Sequence, residues 1–195
     1  RLGYLARRWL RLAPQKEEVA LVHGHRMWFG PGSECYLDMT SGTWEPGIVR
    51  LFENLLKPGM VVIDVGAHIG YFTLLAASKV GPTGKVYAFE PAPSNYALLV
   101  KNIALNEYHN VVPVQKAVSN CQGTATFFLH LDGVAHSFYR ETYGKAQAAI
   151  QVQTTTLDSF LEAEGWPRVD LVKMDIEGAE PAALEGMAKL LERNR

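Results

Sequence analysis

Met60-Val61-Val62-Ile63-Asp64-Val65-Gly66-Ala67-His68-Ile69-Gly70 is the stretch that decides the fold. Val61, Val62 and Ile63 are consecutive β-branched residues without polar alternation, which predicts a strand buried on both faces of a parallel sheet. An acid follows, then two glycines four positions apart, then an apolar run from Tyr71 to Ala77 with no Gly or Pro to stop a helix. Strand, glycine turn and helix make the opening of a nucleotide-binding βαβ unit. Gly66 lets the backbone turn tightly without a Cβ. Gly70 lets the helix pack close or a ligand approach.

The spacing bears on which ligand. A dinucleotide fingerprint, G-x-G-x-x-G, puts a glycine where the backbone touches a pyrophosphate. Here that position is His68, so a pyrophosphate would meet a side chain. Asp64, at the strand's end, suits a ligand with positive charge or an amine. S-adenosylmethionine, a sulfonium-bearing amino acid joined to a ribose and an adenine, is such a ligand. The competing reading keeps the turn for packing alone.

Downstream, Lys85 to Phe89 reads as a second buried strand, ended by Glu90-Pro91. Glu90 stands 20 positions after Gly70, the interval at which a βαβ site places the acid that accepts ribose hydroxyls. Pro93-Ser94-Asn95 opens a helix to about Leu105, Asn110 to Gln115 is a third strand, and Ala117-Val118-Ser119 lies at its exit. Gly123 to His130 and Ile150 to Thr155 alternate as strands and can pair as an antiparallel ribbon. Between them runs an excursion, about 131–149, with Asp132, His136, Ser137 and Tyr139, of the length and polarity of a binding loop. Leu157 starts a short helix, Val169 to Met174 is a fourth strand, and Pro181 sits in the first turn of a final helix to about Arg193. A strand order of 3-2-1-4 puts the ligand crevice beside the first strand and leaves the fourth, apolar strand as an edge. That edge predicts either a fragment of a longer sheet or a cover supplied by another chain, as in a homo-oligomer.

Upstream, residues 1–13 alternate basic and apolar and end at Pro14, an amphipathic helix pattern suited to lying on the domain, on a partner subunit or on a membrane surface. Val19 to Phe29 reads as a hairpin turning at His23-Gly24-His25, whose histidines have no third ligand nearby and are assigned structure rather than metal. Thr43-Trp44-Glu45-Pro46 opens a helix to about Leu56, broken by Lys57-Pro58-Gly59. Two units result: 1–58 leading into the core, and 59–195 carrying it. The 19 Lys and Arg against 20 Asp and Glu give no field for nucleic acid, and no stretch is apolar enough for a membrane span. Two distant cysteines, Cys35 and Cys121, without metal-ligand spacing predict a reducing, cytoplasmic location.

With these residues placed, the sequence resembles the FkbM family of S-adenosylmethionine-dependent methyltransferases. The resemblance rests on Asp64 to Gly70, Phe89-Glu90-Pro91 and Thr156-Leu157-Asp158-Ser159-Phe160. Most specific is Val172-Lys173-Met174-Asp175-Ile176-Glu177-Gly178-Ala179-Glu180. It implies an α/β fold, a Rossmann-like class I methyltransferase sheet with helices on both faces, here ending after the fourth core strand and its helix. It implies O-methylation of a hydroxyl on a sugar, polyketide or related small molecule. By motif, Asp64, Gly66 and Gly70 line the methionine part of the cofactor, Glu90 holds the ribose and Ala117 lies beside the adenine, with Ala67, His68 and Pro91 also counted in the cofactor site.

Methyl transfer to a hydroxyl requires alignment and removal of a proton. Asp175, at a strand's C-terminal end, is the first candidate for base or orienter, and His136 in the excursion the second. Asp175 and Glu177, with Glu180 in the same turn, could instead hold a divalent cation, which nothing else in the sequence indicates. Glu180 is equally an acid complementing a helix dipole. A nicotinamide oxidoreductase and a non-catalytic binding domain are the alternatives to the transferase.

Overall fold

In the computed structural model the described residues are Pro14, 16–33, 35–130, 136–139, Ala146 and 148–193. The expected amphipathic segment 1–13 and most of the 131–149 excursion lie outside them.

The central strand forms as its apolar run requires. β3 (Val61–Val65) pairs in parallel with β4 (Lys85–Phe89) on one side and β9 (Leu171–Met174) on the other, and β5 (Val111–Val114) pairs in parallel with β4. The order β5-β4-β3-β9 is the 3-2-1-4 winding expected from the sequence. Alternation along β3 sorts its residues between two cores. Ile63 and Val65, with Tyr87 and Phe89, pack on α5 (Leu157–Ala163), α6 (Glu180–Glu185) and α7 (Ala188–Arg193). Val62, with Val86 and Ala88, packs on α3 (Tyr71–Val80) and α4 (Pro93–Leu105). Asp64 belongs to this second face.

The N-terminal elements share that second core. The hairpin β1 (Glu18–Val22) and β2 (His25–Phe29), with α1 (Tyr36–Thr40) and α2 (Pro46–Leu55), contributes Met27, Phe29, Met39, Val49 and Phe52 to the cluster of α3 and α4. Asn102, fully buried on α4, locks the hairpin in place: Oδ1 accepts from Trp28 N at 2.7 Å and Nδ2 donates to Ile69 O at 2.8 Å. One residue therefore ties the hairpin to the glycine turn. Both turn histidines are structural, His23 on Tyr71 Oη (2.7 Å) and His25 on Tyr108 Oη (2.9 Å).

A second sheet stands beside the first. β7 (Gly123–Leu129) pairs antiparallel with β8 (Ala148–Thr155), the expected ribbon, and β6 (Ala117–Val118) joins β8 in parallel. Two details depart from the sequence reading. α1 has no counterpart in it, and the final helix is two helices broken at Gly186. The break has a cause: a Cβ at Gly186 would lie 2.1 Å from Ser119 O, and Asp158 N donates to Gly186 O at 3.0 Å. Asp158 then accepts from Lys189 N and Leu190 N, each at 3.0 Å, and caps α7. Among the described residues no helix is long and apolar enough to cross a membrane.

Candidate active site

The glycine turn is held from both sides. Gly66 has φ +80°, and a Cβ there would stand 2.0 Å from Asp175 O, so the turn is packed flat against the exit of β9. Gly70 has φ +101° and contacts Leu99 of α4, where a Cβ would come within 3.0 Å of Leu99 Cδ1. Of the two uses open for Gly70, the close packing of the helix is the one realised.

Four of the turn's N–H groups are satisfied internally. Gly66 N and Ala67 N both donate to Phe89 O (3.0 and 2.9 Å), Gly70 N donates to Ala67 O (2.9 Å), and His68 N donates to Glu90 Oε2 (2.9 Å). These donors are therefore not presented to a pyrophosphate, which a dinucleotide site requires. The turn instead positions Glu90. With Oε1 accepting from Ala92 N at 2.9 Å, each carboxylate oxygen is fixed by one backbone donor and keeps further acceptor capacity. Burial raises its pKa to about 7, against the opposing pull of the two backbone N–H groups and Lys173.

Glu90 opens into a cavity of about 850 Å³, within the size range of small-molecule sites. Its wall takes Gly66, Ala67 and His68 from the turn, Pro91 beside Glu90, and Ala117 from β6. Asp175 and Glu177 line it beyond β9, and His136 and Phe138 from the excursion. Of the eight cofactor candidates and the catalytic pair Asp175 and His136 derived from the sequence, all but Asp64 and Gly70 border this one space.

Asp64 requires a correction. It is fully buried on the α3 face, accepts from Thr73 Oγ1 at 2.6 Å, and faces Lys173 Nζ at 3.2 Å, a charge contact rather than an aligned hydrogen bond. Its register partner across the ladder is Lys173 itself. Its carboxylate neutralises that lysine behind the wall and does not touch the cavity.

His136 also changes character. Its Nδ1 accepts from His130 N at 3.1 Å, so the neutral ring carries its proton on Nε2. Glu180 is used structurally, its Oε1 accepting from Ile176 N at 2.9 Å. Among the described residues no three His, Cys, Asp or Glu side chains cluster as a metal site.

Several wall residues escaped the sequence reading. Met39, Trp44 and Glu45 arrive from the segment around α1 and α2, and Lys173, Tyr71 and Asn95 from the core. Lys173 also donates to Gly66 O at 3.1 Å. Burial and the nearby Asp175 raise Glu45, while burial and Glu45 push the Tyr71 hydroxyl up to about 12. Lys173 had a signal: a lone cation in an apolar strand needs an acid, and Asp64 is the lone acid in the neighbouring strand. Met39 had none.

The comparisons with known proteins follow the same outline. Residues 64–195 match the family model described as the methyltransferase FkbM domain. The chain belongs to the FkbM methyltransferase family. Methyltransferase sdnD of Sordaria araneosa is 33% identical over 65% of this chain and 60% of its own length. The 31-O-demethyl-FK506 methyltransferase FkbM of Streptomyces tacrolimicus is 30% identical over 68% of this chain and 61% of its own. The hexuronic acid methyltransferase AglP of Haloferax volcanii is 26% identical over 76% of this chain and 58% of its own. The chain thus spans about three fifths of the length of these relatives.

Proposed function

We propose that the chain binds S-adenosylmethionine and serves methyl transfer to a hydroxyl of a sugar, polyketide or related small molecule. The observation that carries this reading is Glu90: a buried carboxylate at the end of β4, positioned by a glycine turn whose own donors are occupied. That is an acceptor for ribose hydroxyls beside a turn in which the N–H groups of Gly66, Ala67, His68 and Gly70 are already engaged. The relatives named for hexuronic acid and FK506 methylation supply the class of acceptor.

When bound, S-adenosylmethionine supplies a methyl carbon activated by the sulfonium. Glu90 accepts the ribose hydroxyls, with Pro91 and Ala117 along the nucleoside. Gly66 and its neighbours border the amino-acid end. Asp175 would orient the acceptor hydroxyl and take its proton on a carboxylate oxygen. His136 donates from Nε2, and Phe127 and Phe138 keep that end of the cavity apolar. Nucleic acid is not part of this reading, consistent with a formal charge of -1.

Calorimetric titration with S-adenosylhomocysteine and with NAD tests it. The expected result is saturable binding of the first and none of the second. Binding of NAD alone supports the oxidoreductase instead, and binding without methyl transfer to any component of a cell extract supports a non-catalytic domain.

A further inference from the structure

Among the described residues, the carboxylates on the cavity wall are Glu45, Glu90, Asp175 and Glu177. Glu90 is assigned to the ribose hydroxyls and Asp175 to the reacting hydroxyl, while Asp64 is held behind the wall by Thr73 and Lys173. For the ammonium of an amino-acid ligand Glu45 and Glu177 remain, and Glu45 is within electrostatic reach of both Lys173 and Asp175. Glu45 makes no side-chain hydrogen bond or ion pair with a described residue. Its turn at the head of α2 is fastened over the site, because Tyr71 Oη, one residue beyond Gly70, donates to Trp44 O at 3.2 Å.

Lys173 lines the same space. Its ammonium has three N–H groups; one donates to Gly66 O at 3.1 Å and the charge faces Asp64 at 3.2 Å, leaving donor capacity toward the cavity. Glu45 senses both Lys173 and Asp175, yet no ion pair joins it to Lys173. Opposite charges on one cavity wall, not joined in an ion pair and with Lys173 beside Gly66, are the complement of a zwitterion.

We infer that Glu45 and Lys173 clamp the zwitterionic amino-acid end of the methyl donor, Glu45 receiving its ammonium and Lys173 its carboxylate. The inference rests on the S-adenosylmethionine reading above. It reassigns the amine from Asp64 to a residue contributed by the N-terminal segment, outside residues 64–195. An ammonium placed there also relieves the repulsion between Glu45 and Asp175.

The test removes each charge on the ligand side. S-adenosylhomocysteine carries the whole amino-acid tail, its decarboxylated amine analogue keeps only the ammonium, and 5′-methylthioadenosine lacks both. All three are titrated into the unaltered chain and into Glu45→Gln. A lost charge-assisted hydrogen bond predicts that Glu45→Gln weakens both amine-bearing ligands by about 10- to 100-fold and changes 5′-methylthioadenosine by less than about twofold. The unaltered chain binds the decarboxylated analogue more weakly than S-adenosylhomocysteine. Equal losses for all three ligands, no loss for the amine-bearing pair, or indifference to the carboxylate overturns the clamp alone. Failure of the unaltered chain to bind any of the three overturns the underlying donor reading as well.

Discussion

Burial lifts Glu90 to about 7, so the carboxylate assigned to the ribose changes charge near neutrality. Protonation removes acceptor capacity, and affinity for S-adenosylhomocysteine is expected to fall between pH 8 and pH 6; Glu90→Gln binds more weakly and loses that dependence. Calorimetry across the range checks it. Stability carries the opposite sign. A pKa raised above the ordinary 4.5 contributes stability fully present below 4.5 and lost as pH rises through about 7. The charged form costs the unliganded fold up to about 3 kcal/mol. The melting temperature of Glu90→Gln is therefore expected to gain on the unaltered protein as pH rises from 5 to 8. Asp175 predicts a different split: Asp175→Asn should abolish transfer of labelled methyl to extract acceptors while S-adenosylhomocysteine affinity stays within about twofold, since a base acts in the transition state and not in donor binding. Near-normal transfer removes it from the chemistry.

At the scale of elements, the site depends on how closely the β3 and β9 exit loops approach. Gly66→Ala combines a positive φ with a Cβ 2.0 Å from Asp175 O. The expected loss is roughly 3 kcal/mol in urea denaturation, from backbone strain and overpacking together. A variant as stable as the original would mean that the loops separate freely. Asp158→Ala removes the acceptor for Lys189 N and Leu190 N at the head of α7. It should cost about 1 kcal/mol and lower the melting temperature without changing ligand affinity. Asp158 was legible as part of a helix start and of a family motif. Its capping role was not, because α7 begins after a break whose cause is Ser119 O, distant in sequence from Gly186.

Across the whole molecule, the parallel sheet and its 3-2-1-4 order were legible because Val61 to Val65, Lys85 to Phe89 and Val169 to Met174 are apolar runs punctuated by glycine, proline and acid. The place of Glu90 beside the turn was legible because its distance from the turn is fixed by the βαβ unit itself. Asp64 was misread because its partner, Lys173, lies across a ladder formed only when distant strands meet. The wall from Met39, Trp44 and Glu45 was hidden for the same reason: local pattern marks α2's start but not what that start covers. Chemistry assembled within one βαβ unit can be read from spacing, and chemistry assembled between units needs coordinates. The most direct measurement is a crystal structure of the chain with S-adenosylhomocysteine at pH 8. Ribose hydroxyls are expected within hydrogen-bonding distance of both Glu90 oxygens, with the amino-acid tail beside Gly66. A nucleoside seated elsewhere, with Glu90 making only its bonds to His68 and Ala92, would contradict the assignment.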